Sequence, residues 1–427
     1  MPETAIAVIG VGYVGLPLAL ALGRHHGEVI AYDVDATRTE GLRSGFDRNE
    51  TDGAPLEAPK NLIFTSDKAD LARASAFIIT VPTPIDAERR PDLSPVRSAC
   101  RQIGEVISEG ALVVLESTVY PGVTEEVCGP LIAEVSGLRQ GIDFCLGYSP
   151  ERINPGDKLN TIESVTKIVA GQDEVTLDRV AAIYGPAIDA GLFRAESIQV
   201  AEAAKVVENV QRDMNIALMN ELAMIFDRMG IRTSDVIDAA ATKWNFQRFT
   251  PGLVGGHCIG VDPYYLISRA EGLGYYPELI RAARRLNSGL ADHVAQRTMD
   301  LVVQSGRSIS EARIGVLGLT FKEDVSDFRN SQSPAIVLEL GRFGAEVLAH
   351  DPHADPEALH AETGVELRAW NELGDLDALV VTVPHKDYIE MPINEFVGLL
   401  RDGGVLVDVK SAFDPGALPD SLRYWSL

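Results

Sequence analysis

The stretch AIAVIGVGYVGLPLALALGRHH, residues 5–26, decides the fold. Ala5 to Ile9 is a short, continuous apolar run of the kind that forms a strand buried on both faces. GVGYVG follows at Gly10 to Gly15, and LPLALALGRHH then has the composition of a helix. Strand, glycine-rich turn and helix in that order are the context a dinucleotide-binding fingerprint requires. Gly10 permits the tight turn, Gly12 lets the backbone approach a pyrophosphate at the helix N-terminus, and Gly15 allows close packing of helix on strand. A second apolar run, Glu28 to Tyr32, ends at Asp33, whose carboxylate is placed to accept from both hydroxyls of an adenosine ribose. That favours NAD over NADP. Arg38 works against it, because a nearby arginine also stacks on adenine or meets a 2′-phosphate.

Outward from this unit the same grammar continues. Apolar runs at Ala76 to Val81, Ala111 to Glu116 and Phe144 to Tyr148 each end in polar or turn residues: Pro82-Thr83-Pro84, Ser117-Thr118 and Ser149-Pro150-Glu151-Arg152. Ligands of an open α/β sheet sit at the carboxyl ends of its strands, so Thr83, Thr118 and Glu151 are expected to converge near the cofactor's reactive end. Each alone reads more readily as a loop cap, and together they outline a crevice.

From Ser197 to Arg228 the chain has no glycine or proline and many helix formers, which predicts one long helix. Val206, Val210, Met214, Ala217, Leu218, Leu222 and Ile225 recur at helical spacing and are expected to form its buried stripe. Such a length suits a spine between domains or a dimer interface. Lys205, Asn209 and Arg212 share a face, either as solvated surface or to hold a substrate hydroxyl and the oxyanion formed from it.

The last third repeats the first. ARIGVLGL at Ala312 resembles the opening strand, and AEVLAHD ends at Asp351 as the earlier unit ended at Asp33. ALVVTVPHKDY from Ala378 echoes AFIITVPTPID from Ala76, and GVLVDVKSAFD from Gly404 echoes LVVLESTVYPG from Leu112. Matched strand ends in the same order predict a second doubly wound domain. This copy lacks the second and third fingerprint glycines and has the longer loop FKEDVSDFRNS, Phe321 to Ser331. Lys322, Arg329 and Lys410 at the strand ends point to a different anionic ligand, for which a nucleoside diphosphate fits; a solvated charged loop is the alternative. The expected fold is α/β, two doubly wound Rossmann-like domains joined by a long central helix. The expected divisions are residues 1–196 for NAD, 197–300 for a helical dimerisation segment and 301–427 for the second ligand.

GLVGGHCIGVDPYYL, Gly252 to Leu266, sets Cys258 among glycines that allow close approach of backbone to a ligand. Asp262 before Pro263 reads as a helix N-cap, so one loop presents a thiol and a carboxylate. A buried, inert cysteine is the competing reading. His257 adjoins the thiol but is expected to point away, and His257, Cys258 and Asp262 lack the second ligand pair of a zinc site, so no metal is expected.

A net charge of −24 is the wrong sign for non-specific nucleic-acid binding. No apolar run is long enough to span a membrane, and four cysteines without CxxC spacing, with no leader before the first strand, suggest a reducing cytoplasm.

GVGYVGLPLA, ESTVYPG, YSPERINPGD, AEAAKVVENVQRDMNIALMNE, GLVGGHCIGVDPYYL and FKEDVSDFRNS together resemble the UDP-glucose/GDP-mannose 6-dehydrogenases over essentially the whole chain. GGHCIGVDPYYL and YSPERINPGD look most like the branch acting on UDP-N-acetylgalactosamine or UDP-N-acetylglucosamine in surface-polysaccharide synthesis. The resemblance implies Cys258 as nucleophile, with Lys205, Asn209 and Asp262 around the reacting carbon, and Thr118 and Glu151 assisting hydrolysis. It implies Tyr13, Val14, Asp33, Arg38, Thr83, Thr118 and Arg329 as NAD contacts. Arg152, Ile153, Lys205, Asn209, Arg212, Gly255, Phe321, Lys322 and Lys410 would contact the UDP-sugar. Where many relatives carry an arginine that reaches across a homodimer, this chain reads TKWNFQRF, leaving Lys243 and Arg248 as alternatives.

Oxidation of a primary alcohol to an acid removes four electrons, and each NAD⁺ accepts one hydride. The expected chemistry is therefore two rounds on a tethered intermediate, a Cys258 thiohemiacetal and then a thioester. The rival readings are a UDP-glucose or UDP-N-acetylmannosamine substrate, a two-electron hydroxyacid-type dehydrogenase with a structural Cys258, and a non-catalytic nucleotide-sugar binding module.

Overall fold

The computed structural model describes residues 5–48, 55–152, 161–256 and 258–427. The chain divides into two compact units, residues 1–208 with 264–276 and residues 209–263 with 277–427.

In the first unit the strands are β1 (Ala5–Ile9), β2 (Val29–Tyr32), β3 (Leu62–Thr65), β4 (Ala74–Ile79), β5 (Ala111–Leu115), β6 (Phe144–Tyr148), β7 (Lys167–Gly171) and β8 (Leu192–Arg194). Their order is β3-β2-β1-β4-β5-β6-β7-β8. All neighbours are parallel except β6 and β7. β1, β2 and β5 are buried at every residue, as strands of a sheet covered on both faces are. Leu16, Leu18 and Leu22 of the helix Gly15–His25 join Ile6, Val8, Ala31 and Ile78 in this core. Strand order reverses between β1 and β4, which creates a crevice at their carboxyl ends. The strand expected at Ala76–Val81 begins and ends two residues earlier, because Ile79 is the last residue in register with Ile9 of β1.

The fingerprint glycines answer to three different demands. Gly10 has φ +96°, with Val81 backbone 3.1 Å from where a Cβ would lie. At Gly15 a Cβ would stand 1.9 Å from the Gly10 oxygen and 2.5 Å from Thr80 Oγ1. At Gly12 it would meet nothing within 4 Å.

β9 (Arg313–Leu317), β10 (Glu346–His350), β11 (Leu376–Val381), β12 (Leu400–Asp408) and β13 (Arg423–Ser426) form the second sheet. It is parallel throughout, in the order β10-β9-β11-β12-β13, the other common doubly wound arrangement. The internal repeat extends to individual bonds. Thr80 Oγ1 donates to the Ile9 and Gly10 carbonyls at 3.1 and 2.7 Å, and Thr382 Oγ1 donates to those of Leu317 and Gly318. Asp33 accepts the Val11 N–H at 2.9 Å, and Asp351 accepts those of Leu319 and Thr320 at 2.5 and 3.1 Å.

The long helix runs from Ile198 to Met229. Its burial differs from the expected apolar stripe: Leu218 and Ile225 are exposed, as are Val200, Val207 and Met229. Glu202, Lys205, Asn209, Asp213 and Asn220 are buried instead. Networks compensate these polar groups. Asp213 meets Arg284 at 2.5 Å and Asn287 at 2.7 Å, and Asn220 bonds Asn287 and the Gly252 backbone. Glu202 accepts the Gly122 and Thr124 N–H groups at 2.5 and 2.9 Å. Burial pushes its carboxyl up to about 7, and those bonds oppose the shift. Among the described residues no helix is long and apolar enough to cross a membrane.

Candidate active site

In the first unit, the site begins at the β1 turn. Asp33 is oriented through both oxygens, accepting from Val11 N at 2.9 Å and Asp35 N at 2.9 Å. Arg38 is 3% exposed; its Nε donates to the Val11 carbonyl at 3.0 Å and its Nη1 pairs with Asp47. Its Nη2 is buried without a hydrogen-bond partner among the described residues. Asp47 thus neutralises the arginine that favoured a 2′-phosphate. Tyr13 and Val14 lead into the helix at Gly15, and Tyr13 is exposed. Thr83 follows β4, and its carbonyl accepts the buried Tyr265 hydroxyl at 2.6 Å. Open space at Gly12, an oriented carboxylate at Asp33 and an unmatched donor at Arg38 fit an NAD dinucleotide. Asp33→Ser is expected to weaken NAD about tenfold or more, the scale of a lost charge-assisted hydrogen bond, and to narrow its advantage over NADP. Steady-state KM values for both nucleotides check this; KM for the UDP-sugar is expected to stay unchanged.

At the ends of β5 and β6, Thr118 is half-buried and Glu151 is buried. Glu151 accepts the Arg152 N–H at 2.6 Å through one oxygen and meets Lys167 Nζ at 3.1 Å through the other. Arg152 donates to the Thr166 carbonyl at 2.8 Å and pairs with Glu208 at 2.8 Å. Lys205 is buried on the long helix. Ile153 lies outside the described residues, as does His257.

In the second unit Asn209 and Asp262, far apart in sequence, meet: Asn209 Nδ2 donates to Asp262 Oδ2 at 2.6 Å, and both residues are buried. Asp262 is the first residue of its helix rather than the N-cap before it, since its N–H already bonds the Cys258 carbonyl at 2.8 Å. Cys258 is exposed, so the reading as a buried inert cysteine fails. Its loop packs on the Phe321–Ser331 loop. A Cβ on Gly255 would come 2.9 Å from the Asn330 oxygen, and one on Gly256 2.9 Å from the Phe321 ring. Lys322 Nζ lies 5.5 Å from the Phe321 ring centroid, a cation–π distance. Lys410 bonds Glu323 at 3.3 Å, and its side chain runs 3.4 Å from the Cβ position of Gly252. Gly255, Phe321 and Lys322 therefore lie on one loop pair, with Lys410, just after β12, beside Gly252 and Glu323.

Arg212 is exposed, whereas Lys205 and Asn209 on the expected common face are buried. Helical spacing gives a residue's direction, and the burial of its neighbours does not extend to this longer side chain. Arg329 makes a bidentate pair with Asp327 at 2.9 and 2.8 Å. Lys243 and Arg248 are both exposed, and Arg248 pairs with Asp238 at 2.5 Å. Asp324, His353 and His385 have metal-ligand chemistry. Both ring nitrogens of His385 are engaged, however: Nδ1 accepts the Asp324 N–H at 3.0 Å, and Nε2 faces Asp351 at 3.1 Å.

Reasoning from sequence missed Lys167 and Glu116, although a lysine opening the apolar run KIVAG and a glutamate closing ALVVLE were visible signals. It also missed Tyr265, which no local pattern links to Thr83.

Comparison with known proteins adds to this geometry. Models of the UDP-glucose/GDP-mannose dehydrogenase family match in three parts: the NAD binding domain over residues 4–188, the central domain over 199–289 and the UDP binding domain over 315–415. The chain is 47% identical to Protein CapL of Staphylococcus aureus, covering 99% of each chain. It is 45% identical to the UDP-N-acetyl-D-glucosamine 6-dehydrogenase of Pseudomonas aeruginosa, covering 97% of this chain and 98% of that one. Among solved structures, the UDP-D-ManNAc dehydrogenase of Pyrococcus horikoshii superposes with a TM-score of 0.87 at 29% identity, covering 99% and 98% of the two chains.

Proposed function

The chain belongs to the UDP-glucose/GDP-mannose dehydrogenase family and is an NAD-dependent UDP-sugar 6-dehydrogenase, and we propose that its substrate is a UDP-N-acetylhexosamine, oxidised at C6 to the hexosaminuronate. The observation that carries the substrate is the 45% identity over almost the whole chain to a UDP-N-acetyl-D-glucosamine 6-dehydrogenase, against 33% over 90% of the chain to the UDP-N-acetyl-D-mannosamine dehydrogenase of Pyrococcus horikoshii. Residues 1–196 hold NAD, 197–300 form the dimerisation segment and 301–427 hold the UDP-sugar. The enzyme works in the cytoplasm, and its product feeds surface-polysaccharide synthesis.

Bound NAD⁺ supplies a hydride acceptor in each of two rounds. Gly12 would receive its pyrophosphate and Asp33 and Arg38 its adenosine end, with Tyr13, Val14, Thr83, Thr118 and Arg329 completing the contacts. Lys205 and Asp262 remove the C6 hydroxyl proton through a water. Cys258 captures the aldehyde carbon, forming the C–S bond of a thiohemiacetal that the second oxidation converts to a thioester. Lys205 and Asn209 stabilise the tetrahedral oxyanion. The Asn209 to Asp262 bond of 2.6 Å supports this reading, since it orients a donor and a base together. Glu151 then activates a water, ordered by Thr118, for hydrolysis. Arg152, Ile153, Arg212, Gly255, Phe321, Lys322 and Lys410 grip the nucleotide sugar.

Val200, Val207, Leu218, Ile225 and Met229 recur near multiples of the helical repeat and form an exposed apolar stripe, which supports a homodimer through the long helix. Lys243 or Arg248 then reaches the partner's site.

Incubation with NAD⁺ and a panel of UDP-sugars tests the proposal, reading NADH at 340 nm and product mass. Two NADH per molecule of UDP-N-acetylhexosamine, with UDP-glucose a poor substrate, is the expected result. One NADH per substrate, or a preference for UDP-glucose or UDP-N-acetylmannosamine, overturns it.

A further inference from the structure

Lys167 opens β7 and is 4% exposed, a position where an ammonium persists only if it is paired. Its Nζ lies 2.5 Å from Glu116 Oε1, 3.1 Å from Glu151 Oε2 and 3.3 Å from the Pro150 carbonyl oxygen. Glu116, directly after β5, is 1% exposed, and its second oxygen accepts the Tyr184 hydroxyl at 2.7 Å. Tyr184 ends the helix Glu174–Tyr184, is fully buried and sets its ring centroid 5.2 Å from the ammonium. Arg152, whose N–H bonds Glu151, donates to the carbonyl of Thr166 beside Lys167 and pairs with Glu208 at 2.8 Å.

The sheet dictates this meeting. β7 runs antiparallel to β6, pairing Tyr148 with Ala170. Continuing that register brings Lys167 opposite Glu151. A parallel β7 would place its first residue at the amino ends of its neighbours, the opposite end of the sheet. The antiparallel pairing of β7 with β6 thus delivers a cation to the carboxyl ends of β5 and β6, where the expected reaction site lies.

One ammonium cannot neutralise two buried carboxylates. Burial pushes the Glu116 carboxyl up to about 7, with Lys167 opposing the shift. Burial also works against the Lys167 charge, but the two carboxylates outweigh it and raise its pKa. Lys167 therefore bridges Glu116, whose other oxygen Tyr184 holds, and Glu151.

We propose that Lys167 is a positioning residue for the hydrolytic half-reaction: held by Glu116, its ammonium fixes Glu151 by one oxygen and favours the carboxylate that a general base requires. This rests on the reading of Glu151 as general base. In the step served, a water oxygen bonds to the acyl carbon and Glu151 accepts one water proton. The C–S bond breaks, its electron pair leaves on the Cys258 sulfur, and the acid product ionises to release the second proton.

The test uses the full-length enzyme with NAD⁺ and UDP-N-acetylglucosamine in rapid mixing. Lys167→Met is expected to keep a burst of two NADH per site at the wild-type rate. The steady state that follows is expected to fall about ten- to a hundredfold, part of what a general base contributes. Thioester trapped by hydroxylamine accumulates, KM falls together with kcat so that kcat/KM holds, and the acid limb of the kcat profile moves to higher pH. Lys167→Arg restores much of the loss. Lys167→Met/Glu116→Gln removes one charge of each sign and covers the case in which the single variant does not fold. It is expected to recover the thermal midpoint and still hydrolyse slowly. Wild-type hydrolysis with an unmoved acid limb in that folded double variant overturns the proposal. Glu151→Gln separates the two readings: if it hydrolyses normally the base assignment fails, and if it is slow while both Lys167 variants are normal, only Lys167 loses its role.

Discussion

Replacing Cys258 with alanine is expected to reduce acid formation by about 10³-fold or more, the scale on which loss of a covalent nucleophile acts. NAD binding should be retained, because Gly10, Gly12, Gly15 and Asp33 belong to a unit that does not contain the cysteine. Stability should barely change. Cys258 is exposed, and alanine keeps the carbonyl that accepts the Val261 and Asp262 N–H groups at 3.1 and 2.8 Å. A surface substitution of this kind stays within about 0.5 kcal/mol. Three measurements together decide the matter: product mass, NADH stoichiometry and the thermal midpoint. Without sulfur the second hydride has no tethered donor, so at most one NADH per substrate should appear. A Cys258→Ala enzyme that still delivers acid and two NADH at the wild-type rate would remove the thioester from the mechanism.

How far the sequence carried this reading depends on the range of the interaction concerned. The β1 turn was legible because its glycines act over a few residues. The second doubly wound domain was legible because the strand ends at Asp351 and Thr382 repeat those at Asp33 and Thr80, down to the bonds they make. Leu218 and Ile225 show the limit. Periodicity reports which residues share a face of a helix, not what covers that face, and here the covered face carries Lys205, Asn209 and Asp213. Lys167 was missed for a related reason. Its partners Glu116 and Glu151 arrive from other strands, and only the antiparallel pairing of β6 with β7, which no local pattern announces, brings the three together. The Asn209 to Asp262 bond spans two sequence motifs that were each singled out, but their contact is a fact of packing.

Two neighbouring glycines should fail in opposite ways. Alanine at Gly15 adds a Cβ 1.9 Å from the Gly10 oxygen and 2.5 Å from Thr80 Oγ1, and both are fixed: one is backbone, the other bonds the Ile9 and Gly10 carbonyls. Helix propensity favours alanine over glycine by about 1 kcal/mol, which a clash of that depth exceeds. Relieving it requires the helix to back away from the sheet, at an overpacking cost of about 3 kcal/mol or more. Gly15→Ala should therefore lower the thermal midpoint of the ligand-free protein sharply. At Gly12 the added methyl meets no protein atom within 4 Å, and the residue has no positive φ to strain. Gly12→Ala should leave the midpoint unchanged or slightly raised, through reduced freedom of the unfolded chain. What the methyl does occupy is the space above the turn where a pyrophosphate would lie, so NAD affinity should fall about a hundredfold. Calorimetric titration with NAD and a ligand-free melt of each variant read the two effects separately. If Gly12→Ala binds NAD as the parent does, the open space over that turn is not the phosphate cradle, and the cofactor assignment built on the β1 turn falls with it.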